Sequence, residues 1–148
     1  MLNTVLIASD HAGFALKSEI QKLLPKIEWM DLGPANSSRV DYPDYAERVA
    51  DQISKKKHKI GVLICGSGIG MSIAANKIAG VRAALVENPV SARLAREHND
   101  ANIICIGSRF LAPEYAAEII ETFLKTPAST DERHRARVEK ISKLEGKN

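Results

Sequence analysis

The sequence predicts an α/β protein: a three-layer αβα sandwich on a five-stranded parallel sheet, with an extra helix at the C-terminus. Short β-branched apolar runs alternate along the chain with longer stretches of helical period, the pattern of βαβ units. Runs such as Val5-Leu6-Ile7-Ala8 and Val62-Leu63-Ile64-Cys65 are apolar without interruption, which suits strands covered on both faces. The length of 148 residues fits a single domain over 1–148 and leaves no room for two ordinary ones.

The elements follow in order. Strands are expected over residues 4–8, 27–32, 60–65, 81–86 and 102–106, and helices over 14–24, 44–54, 69–78, 89–98 and 113–124. Pro89 and Pro113 stand where proline is tolerated, in a first helical turn. Gly80 stands where a C-terminal cap is expected. Residues 33–43 form the longest loop and are rich in turn formers. Residues 131–148 read as a last helix, with Arg133, Arg137, Ile141 and Leu144 on one face and Arg135 on the far side. Two arginines on a stripe that docks on protein call for a carboxylate or a bound anion; the plainer reading lays their stems on apolar neighbours in solvent.

Composition narrows the function classes. Hydrophobic residues at 45% and charged residues at 26% exclude a disordered chain. A net charge of +3, evenly mixed, and 5% aromatic residues speak against a nucleic-acid partner. The run at residues 55–59 is read as cations complementing a helix C-terminus. No apolar run approaches the roughly 20 residues of a membrane span, so no membrane partner is expected. The opening residues lack a basic stretch before the apolar run and read as mature sequence. Cys65 and Cys105 both sit in strand-like runs, a usage that suits a reducing cytoplasm.

Ligands of parallel α/β sheets bind at the carboxyl ends of the strands. Four clusters are expected there: Ser9-Asp10-His11-Ala12-Gly13, Cys65-Gly66-Ser67-Gly68-Ile69-Gly70, His98-Asn99-Asp100 at the end of the fourth helix, and Gly107-Ser108-Arg109. The glycine-rich loop is the most informative, because it follows a strand and opens a helix, where backbone N–H groups face an incoming anion. No Gly-Lys-Ser/Thr follows, so it is not a Walker A loop. Met71 stands where a dinucleotide fingerprint needs glycine, although Glu87 lies about 20 residues on, where a ribose-binding acid belongs. A purely structural turn is the third reading. Cys65 immediately precedes the loop, where N–H groups and the helix dipole favour a thiolate, nucleophile or base; without the loop it reads as a buried strand residue. Cys105 lacks such a loop and is assigned to the core. His11 and His98 read singly as caps or surface residues, and no His, Cys, Asp or Glu spacing suggests a metal. Ser67 lacks the GxSxG elbow of a hydrolase.

Taken together, these stretches resemble a known family. Ser9 to Phe14, Asp41-Tyr42-Pro43, Cys65 to Gly70 with Ile73-Ala74-Ala75-Asn76-Lys77, Arg96 to Asn102, Gly107-Ser108-Arg109, Arg133-His134 and Arg137-Val138 match type B ribose-5-phosphate isomerases, in order and over nearly the whole chain. That family also holds the galactose-6-phosphate isomerase subunits. The resemblance implies a Rossmann-like fold and an aldose–ketose isomerase acting on ribose 5-phosphate and ribulose 5-phosphate, without metal or organic cofactor. It implies that Cys65 is the base and His98 the ring-opening acid. Some relatives use instead a glutamate just after the loop; Met71 stands there and takes no proton. Asp10, His11, Gly66, Ser67, Gly68, Ile69, Gly70 and Asn99 match sugar-binding positions. Arg109, Arg133 and Arg137 match ligand-binding arginines, the tail pair on the phosphate. A homodimer or dimer of dimers is implied, with sites that draw on two chains and the tail helix packing on a neighbour. The alternatives are an isomerase of a six-carbon sugar phosphate (allose 6-phosphate or galactose 6-phosphate) and a non-catalytic nucleotide-binding module.

Overall fold

The computed structural model describes residues 4–147. Met1, Leu2 and Asn3, in the stretch read as a mature N-terminus, and Asn148, at the end of the expected tail helix, lie outside the described residues. Strands β1 (Val5–Ser9), β2 (Trp29–Asp31), β3 (Gly61–Cys65), β4 (Ala83–Leu85) and β5 (Ile103–Gly107) are joined through helices α1 (Phe14–Leu23), α2 (Tyr42–Ser54), α3 (Ile69–Ala75) and α4 (Pro89–Asn99). Helices α5 (Pro113–Lys125) and α6 (Glu132–Ser142) follow. The strands form one sheet in the order β2-β1-β3-β5-β4, each neighbouring pair parallel. The predicted α/β class, five-stranded parallel sheet and extra C-terminal helix are all present.

Handedness decides which face each helix covers. A crossover between parallel strands is right-handed in nearly all cases, so reversing the direction of travel along the sheet reverses the face. The steps β1 to β2 and β4 to β5 run one way, and α1 and α4 share a face with α5; β2 to β3 and β3 to β4 run the other way, and α2 and α3 cover the opposite face. The strands supply both cores by alternation. Val5, Ile7, Val62, Ile64, Ile104 and Ile106 meet Leu16, Ile20, Ala92 and Ile119. Leu6, Ala8, Leu63, Cys65, Ile103 and Cys105 meet Val49, Ala50, Met71 and Ala75. Uninterrupted apolar strands are thus the sequence's record of two buried faces.

Local chemistry sets the boundaries. Asn88 caps α4 by accepting a hydrogen bond from the Ser91 N–H at 2.8 Å, and Pro89 opens the helix. Asp131 caps α6 in the same way, accepting from the Arg133 N–H at 2.8 Å. Pro43 fixes φ in the first turn of α2, which begins at Tyr42, before the expected residue 44. Helix α3 ends at Ala75, short of residue 78, because the Asn76 side chain donates to Ala83 O and accepts from Ala83 N, both at 2.8 Å, and so pairs with β4 as a strand residue would. Lys17 is the unforeseen core residue: its side chain is 1% exposed, and its ammonium donates to Asp31 Oδ1 at 2.8 Å and to Pro34 O at 2.9 Å. Among the described residues no helix is long and apolar enough to cross a membrane.

Candidate active site

The strand order places the switch point between β1 and β3, since the chain leaves β1 toward one edge and returns on its other side. The carboxyl ends of these strands diverge there into two helices, the usual ligand crevice of such sheets. Asp10 follows β1; it is buried, its N–H donates to Ile64 O at 3.1 Å, and its Oδ1 accepts from the Gly13 N–H at 3.0 Å. His11 Nδ1 lies 3.1 Å from Val40 O and 3.3 Å from Val40 N, which ties it to the loop before α2.

Cys65 ends β3 with only 4% of its surface exposed. The Gly68 N–H donates to its Sγ at 3.1 Å. Gly68 reaches that position at φ +77°, and a Cβ there would stand 2.8 Å from the Ile106 carbonyl carbon, so only glycine turns the chain here. The neighbouring glycines admit two side chains. A Cβ at Gly66 would stand 3.0 Å from Arg109 Cζ, and one at Gly70 would stand 2.5 Å from the Tyr42 ring. The guanidinium and the phenol therefore lie directly on the turn. Ser67 Oγ accepts from the Ile69 N–H at 3.2 Å and fastens the start of α3. The loop after β5 is sewn to the same turn: Ser108 N–H donates to Cys65 O at 2.8 Å, Arg109 N–H to Gly66 O at 3.0 Å, and Ser108 Oγ to Ala12 O at 2.8 Å.

One end of the sheet thus gathers Asp10, His11, Cys65, Gly66, Ser67, Gly68, Ile69, Gly70 and Arg109. Cys105 is in the core as expected; burial pushes its thiol well above the usual range, and Cys65 adds to the effect. Among the described residues no three His, Cys, Asp or Glu side chains converge to hold a metal ion.

The remaining candidates lie elsewhere, which corrects one expectation. The sequence pattern puts His98 and Asn99 with the strand carboxyl ends. Helix α4 runs antiparallel to the strands it joins, so its last residues lie beside the amino end of β5. Arg82, just before β4, marks the same level by donating to Asn99 O at 3.1 Å. Cys65 pairs in register with Gly107 at the other end of β5, roughly 13 Å away along the strand. In the tail, helical spacing puts Arg133, Arg137, Ile141 and Leu144 on one stripe; within this chain the arginines are exposed and Leu144 is 65% exposed. The half-buried residues of α6 are His134 and Val138, one step round the helix.

His134 gains a role only from the structure. Its ring stacks on His98, with centroids 4.3 Å apart and planes within 11°. The pair borders a cleft of about 590 Å³ also lined by Asp100, Ser129, Glu132 and Arg135. Tyr42 is the other wall residue that spacing alone does not single out, although a ring beside a proline at a loop end is a signal for one.

A glycine turn at the switch point, carrying a hydrogen-bonded thiol and covered by a guanidinium, places this chain among the doubly wound α/β proteins whose ligand crevice opens at that point. The family model described as Ribose/Galactose Isomerase matches residues 5–141, and the chain belongs to that family. Ribose-5-phosphate isomerase B of Escherichia coli is 42% identical over 146 residues, 97% of this chain and 97% of that protein. The structure of Trypanosoma brucei type B ribose 5-phosphate isomerase matches with a TM-score of 0.94 and 46% identity, covering 98% of this chain and 100% of that one. Ribose-5-phosphate isomerase B from Mycoplasma genitalium, solved with bound ribulose-5-phosphate, matches with a TM-score of 0.91 and 42% identity over 98% of this chain and 97% of that one.

Proposed function

We propose that this chain interconverts D-ribose 5-phosphate and D-ribulose 5-phosphate, with Cys65 as the base. The observation that carries the reading is the Gly68 N–H aimed at Cys65 Sγ on the ligand side of the sheet, in a chain of this family. In the open-chain aldose, the Cys65 thiolate takes the proton from C2. The C–H electron pair forms the C1–C2 double bond, and the carbonyl electrons move onto O1, giving an enediolate. Donors fixed around the turn stabilise that oxyanion without reorganising at the moment of reaction. The O2 proton then passes to O1, O2 becomes the carbonyl as the C1–C2 double-bond electrons take the proton back from the thiol at C1, and the thiolate is restored. A proton moved by a positioned side chain accelerates such a step by about 10²–10⁴-fold.

The remaining roles follow from chemistry and placement. His98 gives a proton to the ring oxygen as the sugar opens. Asp10, His11 and Asn99 hold hydroxyl groups, Arg109 binds the ligand beside the turn, and Arg133 and Arg137 grip the phosphate, a task for which guanidinium forks suit better than ammonium groups. Because Cys65 and His98 occupy opposite ends of one chain's sheet, a complete site takes its thiol from one copy and its histidine and tail arginines from another. A homodimer or a dimer of dimers meets this need. The exposed apolar side chains of Ile69, Ile73, Val90 and Phe110, set around the turn's side of the molecule, offer the surface for it. Two unbridged cysteines suit a reducing cytoplasm.

The test is a coupled isomerase assay with ribose 5-phosphate in the presence of EDTA, run in parallel with allose 6-phosphate and galactose 6-phosphate. Turnover of the pentose phosphate supports the reading. Turnover confined to a hexose phosphate, or none with any sugar phosphate, overturns it.

A further inference from the structure

The turn that carries His98 and Asn99 is held by charged side chains that take no part in the proposed chemistry. Asp100 follows them at φ 43° and ψ 45°, in the left-handed region that a non-glycine residue enters only when its surroundings hold it there. Two arginines do so. Arg82 donates through Nε to Asn99 O at 3.1 Å and to Asp100 O at 3.0 Å, and its second nitrogen reaches Asp100 O at 2.8 Å and Asp100 Oδ2 at 3.3 Å. Arg96 donates to Asp100 Oδ1 at 2.8 Å and to Ala101 O at 2.6 Å. These bonds satisfy carbonyls that the end of a helix leaves unpaired.

Arg96 differs from Arg82 in reaching a second element. Its Nε donates to Thr126 O at 3.2 Å, at the start of the connection to α6, and its guanidinium lies 5.6 Å from the Phe123 ring centroid. Its side chain is only 13% exposed. Three residues further along that connection, the Ser129 N–H donates to Glu97 O at 3.2 Å. The connection ends in α6, which carries Arg133, His134 and Arg137 and stacks His134 on His98.

We propose that Arg96, together with Asp100, is a positioning residue that fixes the distance between the His98–Asn99 pair and the arginines of α6. On the isomerase reading, on which this rests, that distance is the span from the sugar ring oxygen to the phosphate. The guanidinium does this because one rigid planar group bonds both elements at once; an ammonium on a flexible stem satisfies one set of carbonyls and releases the other. A misplacement of about 1 Å at such a site costs on the order of 10²-fold in rate.

The experiment compares Arg96→Lys and Asp100→Gly with the parent chain and with His98→Asn. Glycine takes the left-handed turn without strain, so Asp100→Gly removes the carboxylate that Arg96 holds while leaving the turn able to form. Expected for Arg96→Lys is a fall of about 10–100-fold in kcat/KM for ribose 5-phosphate, carried mainly by KM, with a smaller fall in the same direction for Asp100→Gly. Both should weaken the ring-current shift and the proton–proton contacts between His98 and His134 in NMR spectra, a signature that a general loss of stability would not produce. The proposal is overturned if both variants keep parental kinetics, or if activity falls only with the folded fraction while the histidine stack is unchanged. If His98→Asn itself keeps parental turnover, the isomerase role of His98 fails instead, and the two failures are told apart.

Discussion

Cys65 and His98 stand at opposite ends of the same sheet. The thiol closes β3 on the side where the strands end, level with Gly107, whereas the imidazole closes α4 on the side where β5 begins. Each lies in its own polar setting: Cys65 under the Gly68 N–H, His98 against His134. Neither setting contains a base, an acid and a phosphate grip together. On the proposed reading two copies of the chain supply all three, so substitutions at the two ends should disturb different parts of the reaction.

Cys65→Ser keeps a hydrogen-bond acceptor of nearly the same size beneath Gly68, but a serine hydroxyl stays protonated at neutral pH. Turnover of ribose 5-phosphate should fall at least about 10³-fold, within the usual range for loss of a general base, while thermal unfolding moves by a few degrees at most. Turnover within tenfold of the parent in steady-state assays would remove sulfur from the mechanism.

Arg137→Ala leaves the glycine turn untouched and removes a fork assigned to the phosphate. KM for the sugar phosphate should rise about 10–100-fold with kcat changed less, as expected for lost charge-assisted hydrogen bonds to a non-reacting group. Competitive inhibition by inorganic phosphate should weaken in parallel. An unchanged KM and an unchanged inhibition constant would assign the phosphate elsewhere.

Gly68→Ala forces a Cβ into a left-handed position, 2.7 Å from Leu85 Cδ1 and 2.8 Å from the Ile106 carbonyl carbon. The leucine end can swing away; the backbone of β5 cannot. We expect a loss of about 2–4 kcal/mol in unfolding free energy, combining backbone strain with overpacking, and loss of isomerase activity as the N–H leaves the sulfur. Denaturant melts overlaying those of the parent would show that the turn relaxes freely.

Cys105 predicts a pH effect on stability. Burial raises its thiol above the ordinary value of 9.0 in the folded chain, and the unfolded chain retains the ordinary value. The folded state therefore holds its proton where the unfolded state has lost it. The contribution is fully present below the unfolded value and is lost as pH climbs beyond it. Between about pH 9 and pH 10.5 the parent's unfolding free energy should decline more steeply than that of Cys105→Val, which cannot titrate. Equal slopes in the two proteins would contradict this.

How much of this is legible in the sequence depends on the range of the interaction. Val5 to Ala8 and Val62 to Cys65 announce two-faced strands because burial on both sides leaves no polar positions. The glycine turn is equally readable, since Gly68 must sit at positive φ whatever surrounds it. His98 misleads because its neighbourhood resembles a ligand loop, while its level in the sheet follows from chain direction: a helix that begins at the carboxyl end of one strand ends at the amino end of the next. The stripe of Arg133 and Arg137 is legible only as a stripe, because periodicity shows that a helix has faces without saying which face its own chain covers. Lys17 gives no sign at all, because its partners, Asp31 and Pro34, are distant in sequence and one of them is a backbone carbonyl.

The most direct measurement joins two inactive variants. Chains carrying Cys65→Ala and chains carrying His98→Asn are produced together with different tags, and the mixed dimers are isolated by tandem purification. If a site takes Cys65 from one copy and His98 from the other, one of the two sites in each mixed dimer is intact, so activity should return to about half that of the parent dimer. Mixed dimers as inactive as either variant alone would show that each site is built within one chain, and the account given for Cys65 and His98 would fall.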